Sequence, residues 1–177
     1  MTRYEIDTEC RVAVSPDEAL QALMDIERMP EWSALHQSVV VESADGRGRP
    51  LRARAEVAMF GYREYQEYSY VWHDTGFSWE TTNSRNLRHQ GGSYVVQPVD
   101  GTSRIAVHFV LEPKIPVPGF VVRKAQLYAA ETMVASLAGF VARYSAAAQA
   151  DPATDRQPPA PTTLQRCFPD EPEVHPK

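Results

Sequence analysis

The sequence predicts an α+β domain in which a curved antiparallel sheet of about seven strands wraps around one long C-terminal helix. In a series of segments between residues 4 and 111, apolar and polar residues alternate, which is the pattern of half-buried strands. After Gly119 the apolar residues recur at the helical period of about 3.6 instead. A capping sequence behind the first strand predicts short helices between it and the rest of the sheet.

The first strand and the helix behind it have clear boundaries. From Tyr4 to Val14, every second residue suits a buried face, and charged residues fill most of the positions between. Ser15 can cap a helix, and Glu18 completes a capping box with it. A short helix is therefore expected after Ser15, and Pro30 is expected to end any helix that continues.

Turn signals separate the later strands. Residues 45–48 read Asp-Gly-Arg-Gly, and Asp100 and Gly101 have the composition of a tight hairpin turn. Gly91 and Gly92 interrupt the strand predicted from about residue 87 to 96, where they indicate a bulge.

The C-terminal helix is predicted to run from Gly119 to about Ala148 with one broad apolar face. That face is predicted from a seven-residue spacing that joins Phe120, Leu127, Val134 and Val141. The predicted helix contains four small residues, Ala135, Ala138, Gly139 and Ala142. They either leave room for a cavity or, for the alanines, are good helix formers on the solvent side. Glycine inside a helix costs about 1 kcal/mol relative to alanine, so Gly139 favours the cavity.

Proline distribution divides the chain. Seven of the 14 prolines fall in residues 151–177, where few apolar residues accompany them. We therefore predict a folded, ligand-binding domain at residues 1–150 and a disordered Pro-rich tail at residues 151–177.

Composition argues against several classes of function. The 177 residues carry a formal charge of −5, and their Lys and Arg are scattered among acids, so no nucleic-acid partner is expected. No run of 18 apolar residues and no apolar signal core are present, which favours a cytoplasmic protein without stable membrane insertion. Cys10 and Cys167 are too far apart in sequence for a CxxC site, and no zinc or phosphate-loop motif occurs. No metal and no cofactor are expected.

Aromatic residues are concentrated in the middle of the chain, where eight of the 17 lie between Phe60 and Trp79. Such strands either line an apolar ligand site or pair across a sheet for stability alone. Tyr68, Tyr70 and Trp72 share one face of a predicted strand, and the tyrosine hydroxyls beside apolar rings suit an oxygenated hydrophobic ligand.

The order of these segments resembles the START-like, or SRPBCC, superfamily with its helix-grip fold. The likeness covers about residues 3 to 148 and is carried by four segments: residues 12–19 (VAVSPDEA), 29–32 (MPEW), 100–105 (DGTSRI) and 113–119 (PKIPVPG). Within the superfamily, the sequence is most similar to the bacterial polyketide cyclase/dehydrase and coenzyme-Q-binding-like families. The resemblance implies an internal pocket for a hydrophobic small molecule or lipid.

Candidate ligand-binding residues come from the aromatic strands, two strand histidines and the helix: Trp32, Tyr68, Tyr70, Trp72, Trp79, His89, Tyr94, His108, Phe120, Leu127 and Val134. His89 and His108 both face the pocket or neither does, because alternation alone does not say which face is inside. Further polar strand residues are expected to be solvated: Glu64, Gln66, Glu80 and Arg85.

Three functional hypotheses follow. The first is binding or transport of a hydrophobic small molecule, such as a lipid, quinone or polyketide-like compound, in an internal cavity. The alternative is a polyketide aromatase/cyclase or dehydratase that orients its substrate in the same cavity, with His89, His108, Tyr68 or Tyr70 assisting proton transfer. The third, docking of a partner on the Pro-rich tail, is weaker, and the tail is interpreted as a solubilising extension. A monomer or a weak homodimer through an exposed strand edge is expected.

Overall fold

The computed structural model describes residues 3–59 and 62–150 and confirms the predicted architecture. Seven antiparallel strands form one sheet in the order β1-β7-β6-β5-β4-β3-β2. The strands are β1 (Tyr4–Val12), β2 (His36–Ala44), β3 (Pro50–Met59), β4 (Tyr62–His73), β5 (Gly76–Asn83), β6 (Leu87–Val99) and β7 (Thr102–Pro113). The helices are α1 (Pro16–Met24), α2 (Gly119–Leu127) and α3 (Val134–Ala150), with a 3-10 helix at Ile26–Glu31 and a π-helical turn at Tyr128–Met133. Residues 151–177 lie outside the described part of the chain, so the tail and the domain boundary stay predictions.

The start of α1 is the predicted capping box. The Ser15 hydroxyl accepts from the Glu18 backbone N–H at 3.3 Å, and the Glu18 carboxylate accepts from the Ser15 N–H at 2.9 Å. The prediction for Pro30 is wrong, because α1 already ends at Met24 and Pro30 lies inside the 3-10 helix that follows. A short 3-10 segment requires few N–H donors, so a proline fits near its end.

The glycine pair in β6 serves close strand approach, so the predicted bulge is wrong. β6 pairs in regular register at both glycines, and the irregularity lies between Leu87 and His89. A Cβ on Gly92 would lie 2.1 Å from the carbonyl oxygen of His108. Only glycine allows the neighbouring backbones to come that close.

The core lies between the concave face of the sheet and α3. From α3, the side chains of Leu137, Phe140 and Val141 are fully buried, and from β7 Ile105 and Val107 meet them. The tight turn before β7 is also as predicted, with positive φ at Asp100 and Gly101.

The C-terminal helix does not present one continuous face, and this part of the prediction is wrong. Val134 and Val141 are buried, whereas Phe120 is 76 % and Leu127 51 % exposed. The π-helical turn lies between the two pairs. Since a π turn holds more residues than an α turn, a spacing of seven no longer returns to the same side after it.

The small residues of α3 do not open a cavity over the sheet, and for two of the alanines the alternative of a position on the solvent side holds. Ala135 and Ala142 are exposed. A Cβ on Gly139 would meet only the Arg143 side chain, at 3.3 Å. Ala138 packs against the core instead.

No helix in the described segments is long and apolar enough to cross a membrane.

Candidate functional site

An inner cavity lies between the concave face of the sheet and the helical segments. Its volume is about 40 Å³, which is room for about two or three waters. The wall includes five predicted site residues: Trp32, Tyr68, Tyr70, Trp79 and Tyr94. The other wall residues are Met29, Ser33, Leu35, His36, Phe77, Gln90, Phe109 and Met133.

Aromatic rings pack the wall tightly. Tyr68 and Trp79 meet edge to face with centroids 5.5 Å apart, and Phe77 stacks on Tyr94 at 5.0 Å. Trp32 meets Tyr94 edge to face at 6.1 Å. These edge-to-face and stacked contacts define the shape of the cavity wall.

A chain of polar side chains runs from the start of β4 to this cavity. The Gln66 amide donates to Glu64 at 2.6 Å, and the Tyr68 hydroxyl donates to the Gln66 carbonyl at 2.6 Å. Tyr68 Oη lies 3.4 Å from His36 Nε2, and His36 Nδ1 lies 2.7 Å from Ser33 Oγ. We call these five residues the polar chain.

The Glu64 carboxylate fixes the direction of the polar chain. An ionised carboxylate only accepts, so the Gln66 NH₂ faces Glu64 and the Gln66 carbonyl faces Tyr68. The Tyr68 hydroxyl donates its proton to Gln66, so its oxygen lone pairs face His36. His36 can donate to that oxygen only when its own proton is on Nε2. Nδ1 is then an acceptor, and Ser33 donates to it.

The surroundings keep the buried members of the polar chain uncharged. Burial lowers the pKa of His36 to about 4, so the imidazole is neutral at pH 7. Burial, and then the neighbouring Tyr70 and Glu64, raises the pKa of Tyr68 well above its ordinary value.

Glu64 carries the negative charge of the polar chain. Burial raises its pKa, but hydrogen bonds from Gln66, Ser84 and the backbone amides of Asn86 and Arg85 outweigh burial, so the pKa lies below its ordinary value. The carboxylate also accepts from the Asn86 side-chain amide at 2.9 Å. Glu64 is therefore an ionised, well-held end of the polar chain.

Trp79 holds a buried donor without an acceptor. Of the buried side-chain nitrogen and oxygen atoms in the described residues, the indole Nε1 of Trp79 lacks a hydrogen-bond partner. A Cβ on Gly92 would lie 3.3 Å from this nitrogen, which places the indole across Gly92 of the neighbouring strand.

A larger groove adjoins the polar chain where α2 begins. Its volume is about 470 Å³, which lies within the usual range of small-molecule sites, about 300–1,000 Å³. Its lining is mainly apolar and comes from α2, from the segment before α2 and from the neighbouring ends of β4, β6 and β7. The lining residues are Glu64, Asn86, Leu87, Pro113, Ile115, Pro116, Val117, Pro118, Phe120, Val121 and Lys124. Glu64 belongs both to this groove and to the polar chain, whose members Tyr68, His36 and Ser33 line the inner cavity.

Other predicted site residues lie elsewhere. His89 and His108 line a shallow surface on the convex side of the sheet, and His108 Nδ1 is 2.8 Å from Asp7 Oδ1. The Trp72 indole donates to the Pro50 carbonyl at 2.6 Å. Val134 packs in the core and Leu127 faces solvent, whereas Phe120 lines the groove.

Sequence reasoning missed Ser33, His36 and Gln66. Gln66 was expected to be solvated, yet it is fully buried. Its alternation with Tyr68 and Tyr70 along one strand was a signal that could have placed it inside. Nothing in the local pattern distinguishes Ser33 or His36, because Ser33 bonds only His36 within this pair and the contact of His36 with the sheet, at Tyr68, is 32 residues away in sequence. Within the described segments, no group of three His, Cys, Asp or Glu side chains is placed to hold a metal.

Comparison with protein families places the chain. Residues 3–145 match the sequence model of the family described as polyketide cyclase/dehydrase and lipid transport. The chain belongs to this family. In this member of the family, the helical segment lies across the seven-stranded sheet and leaves an inner cavity and a groove. No curated protein sequence matches the chain.

Solved structures agree with the family. A START superfamily protein from Mycobacterium smegmatis is 20% identical with a TM-score of 0.70, and the match covers 78% of this chain and 97% of that one. The Zhui aromatase/cyclase from Streptomyces sp. R1128 is 10% identical with a TM-score of 0.67, covering 81% and 96%. The di-domain ARO/CYC StfQ from the steffimycin biosynthetic pathway is 14% identical with a TM-score of 0.62, covering 84% of this chain and 52% of that one. The similarity concerns the fold, and the predicted membership in the START-like/SRPBCC superfamily is confirmed.

Proposed function

We propose that the protein binds an oxygenated hydrophobic small molecule, such as a lipid, quinone or polyketide-like compound. The apolar body of the ligand lies in the groove at α2, and its polar end points along the polar chain toward the inner cavity. The observation that carries this proposal is the shared position of Glu64, which lines the groove and begins the polar chain.

The apolar side chains of the groove support an apolar ligand. Ile115 and Phe120 are both more than half exposed, and both line the groove. Covering such side chains removes apolar surface from water, which contributes roughly 25 cal/mol per Å². Clustered exposure of this kind is typical of a binding surface.

The polar groups at the groove support an oxygenated ligand. Asn86 and Lys124 stand in the otherwise apolar lining, together with Glu64. A few polar groups among apolar walls orient a ligand. The family's range of activities, which includes lipid transport, supports this assignment.

The two volumes support this placement of the ligand. At about 40 Å³, the inner cavity takes a single small group, whereas the groove of about 470 Å³ takes a drug-sized body. The expectation of a ligand wholly enclosed in an internal cavity is therefore replaced by a ligand lying mainly in the groove.

A fluorescent fatty acid tests the proposal. cis-Parinaric acid is titrated into the purified full chain, and micromolar or tighter binding is expected. Phe120→Asp puts a charge into the groove and should weaken binding about tenfold or more. Leu127→Asp is the matched control, because Leu127 lies on the same helix, is exposed and does not line the groove. Absence of binding to the wild type, or equal loss in both variants, would count against the groove.

A second candidate function is an aromatase/cyclase or dehydratase. It is favoured by the neutral His36, which lies between the Ser33 hydroxyl and Tyr68 at the cavity wall. Since Nδ1 accepts from Ser33 and Nε2 donates to Tyr68, His36 would act by holding these two hydroxyls where they orient a substrate at the cavity wall. A poly-β-ketone analogue is incubated with the wild type and with His36→Asn. A product distribution equal to that of the protein-free reaction would refute catalysis.

A further inference from the structure

We propose that the inner cavity receives a hydrogen-bond-accepting oxygen at the end of the ligand, and that the indole N–H of Trp79 donates to it. This inference rests on the proposed binding function and adds which atom of the ligand is recognised and by which residue.

The first observation is the unpartnered nitrogen. Trp79 Nε1 is buried without an acceptor, and Trp79 lies in the cavity wall. Buried indole N–H groups usually have a partner, because leaving one unsatisfied costs free energy. A ligand that brings a hydrogen-bond acceptor removes this cost, so the unpartnered indole N–H favours ligands that carry an acceptor.

The second observation is that the indole is held in place. The Trp79 ring lies edge to face with Tyr68 at 5.5 Å and with Phe109 at 5.7 Å. Its nitrogen also lies over Gly92, where even a methyl group would be close. The ring therefore cannot turn to another partner without breaking these contacts. Its nitrogen stays beside Gly92, in a residue that lines the cavity.

The third observation is that the three members of the polar chain in the cavity wall have no unassigned donor. The protons of Ser33, His36 and Tyr68 are each directed to the next member of the polar chain. The hydroxyls of Tyr70 and Tyr94, also in the wall, can donate or accept and so adapt to either kind of group. An indole N–H can only donate. Among the buried side-chain polar atoms of the described residues, the Trp79 indole nitrogen is therefore the donor in the cavity wall that lacks an acceptor.

The cavity volume limits the class of ligand. A space of about 40 Å³ accommodates an oxygen and the carbon that bears it, and not a ring. The recognised group is a carbonyl or hydroxyl oxygen at the end of an apolar body. Ketones, quinones, aldehydes and alcohols share this chemistry.

Three probes of one shape separate these groups. They are 4-propylacetophenone, 1-(4-propylphenyl)ethanol and 1-ethyl-4-propylbenzene, which differ only in a carbonyl, a hydroxyl or a methylene. We expect the ketone, the alcohol or both to bind the wild type about tenfold more tightly than the hydrocarbon. In Trp79→Phe the ratio should fall to within about twofold. Trp72→Phe is the control, since the Trp72 indole already donates to the Pro50 carbonyl; the ratio should persist there.

A second measurement does not depend on a variant folding. The indole N–H resonance of Trp79 in a ¹H–¹⁵N spectrum of the wild type should move downfield with the oxygenated probe and not with the hydrocarbon. An unchanged ratio in Trp79→Phe, or an unmoved indole resonance at saturation, would overturn the inference. If cis-parinaric acid binds but the three probes show no preference or do not bind, this inference alone fails. If no probe and no fatty acid binds, the proposed function fails.

Discussion

The Gln66 side-chain amide donates a 2.6 Å hydrogen bond to the Glu64 carboxylate, and this bond orients the groups that lie between the groove and Ser33. Gln66 is fully buried, whereas Glu64 reaches the groove. The charge of Glu64, near the start of β4, therefore determines which atoms of Tyr68 and His36 face each other.

Replacing Gln66 by methionine should destabilise the fold. Gln66→Met keeps the side-chain length but leaves the Tyr68 hydroxyl without its acceptor and removes one donor from Glu64. A buried polar group left unsatisfied costs about 1–3 kcal/mol, so we expect the free energy of unfolding in urea to fall by about that amount. Gln37→Met, at an exposed position in β2, should change it by less than about 0.5 kcal/mol. Equal effects at the two sites would contradict a structural role for the polar chain.

Stability should fall between pH 6.5 and 4 because of His36. Its folded pKa is about 4, below the ordinary value of 6.5, since burial disfavours the charged form. The unfolded chain thus takes up a proton first as the pH falls. The contribution of neutral His36 to the free energy of unfolding is complete above about pH 6.5 and is progressively lost down to about pH 4. Urea unfolding at several pH values should give a shallower slope in this window for His36→Gln, and the wild-type slope for His73→Gln, an exposed histidine.

A separate acid transition should come from Glu18. Hydrogen bonds from Ser145 and Ser15, and a further one from Gln149, lower its pKa to about 2. Through the bond to Ser145, at 2.6 Å, the carboxylate links α1 to α3. Because the folded pKa is depressed, this stability is present above about pH 4.5 and is lost as the pH falls toward 2.

Glu18→Gln should therefore lower the melting temperature at pH 7 and flatten its dependence on pH between about 4.5 and 2. Asp17→Asn, one residue earlier in the same first turn of α1, is the matched control and should keep the wild-type profile. A profile for Glu18→Gln that coincides with the wild type below pH 4.5 would refute the link between α1 and α3.

The fold could be predicted because its signals are local. Alternation along each strand, the Ser15–Glu18 capping box and the Asp100-Gly101 turn each depend on residues within one element. The face of the C-terminal helix could not be predicted, because the π-helical turn shifts its phase without a signal in the apolar spacing.

The candidate site was predictable only in part. Tyr68 and Tyr70 were identified from their shared face and do line the cavity. His36 meets Tyr68 across 32 residues of sequence, and no local pattern reports that contact. Gln66 was misjudged because polar strand residues are mostly exposed, and its burial depends on a carboxylate and a hydroxyl that satisfy it.

Gly92→Ala should be among the more damaging small substitutions in the sheet. The new methyl group would lie 2.1 Å from the His108 carbonyl oxygen, and backbone atoms cannot move away as a flexible side chain can. We expect a loss of about 1–3 kcal/mol or more in the free energy of unfolding. The same methyl would press on Trp79 Nε1 at 3.3 Å, so binding of an oxygenated probe should weaken beyond what destabilisation alone explains. Gly46→Ala, where nothing lies within 4 Å of the new Cβ, is the control and should be nearly neutral. A Gly92→Ala protein as stable as the Gly46→Ala protein would contradict the close approach of Gly92 to the His108 carbonyl.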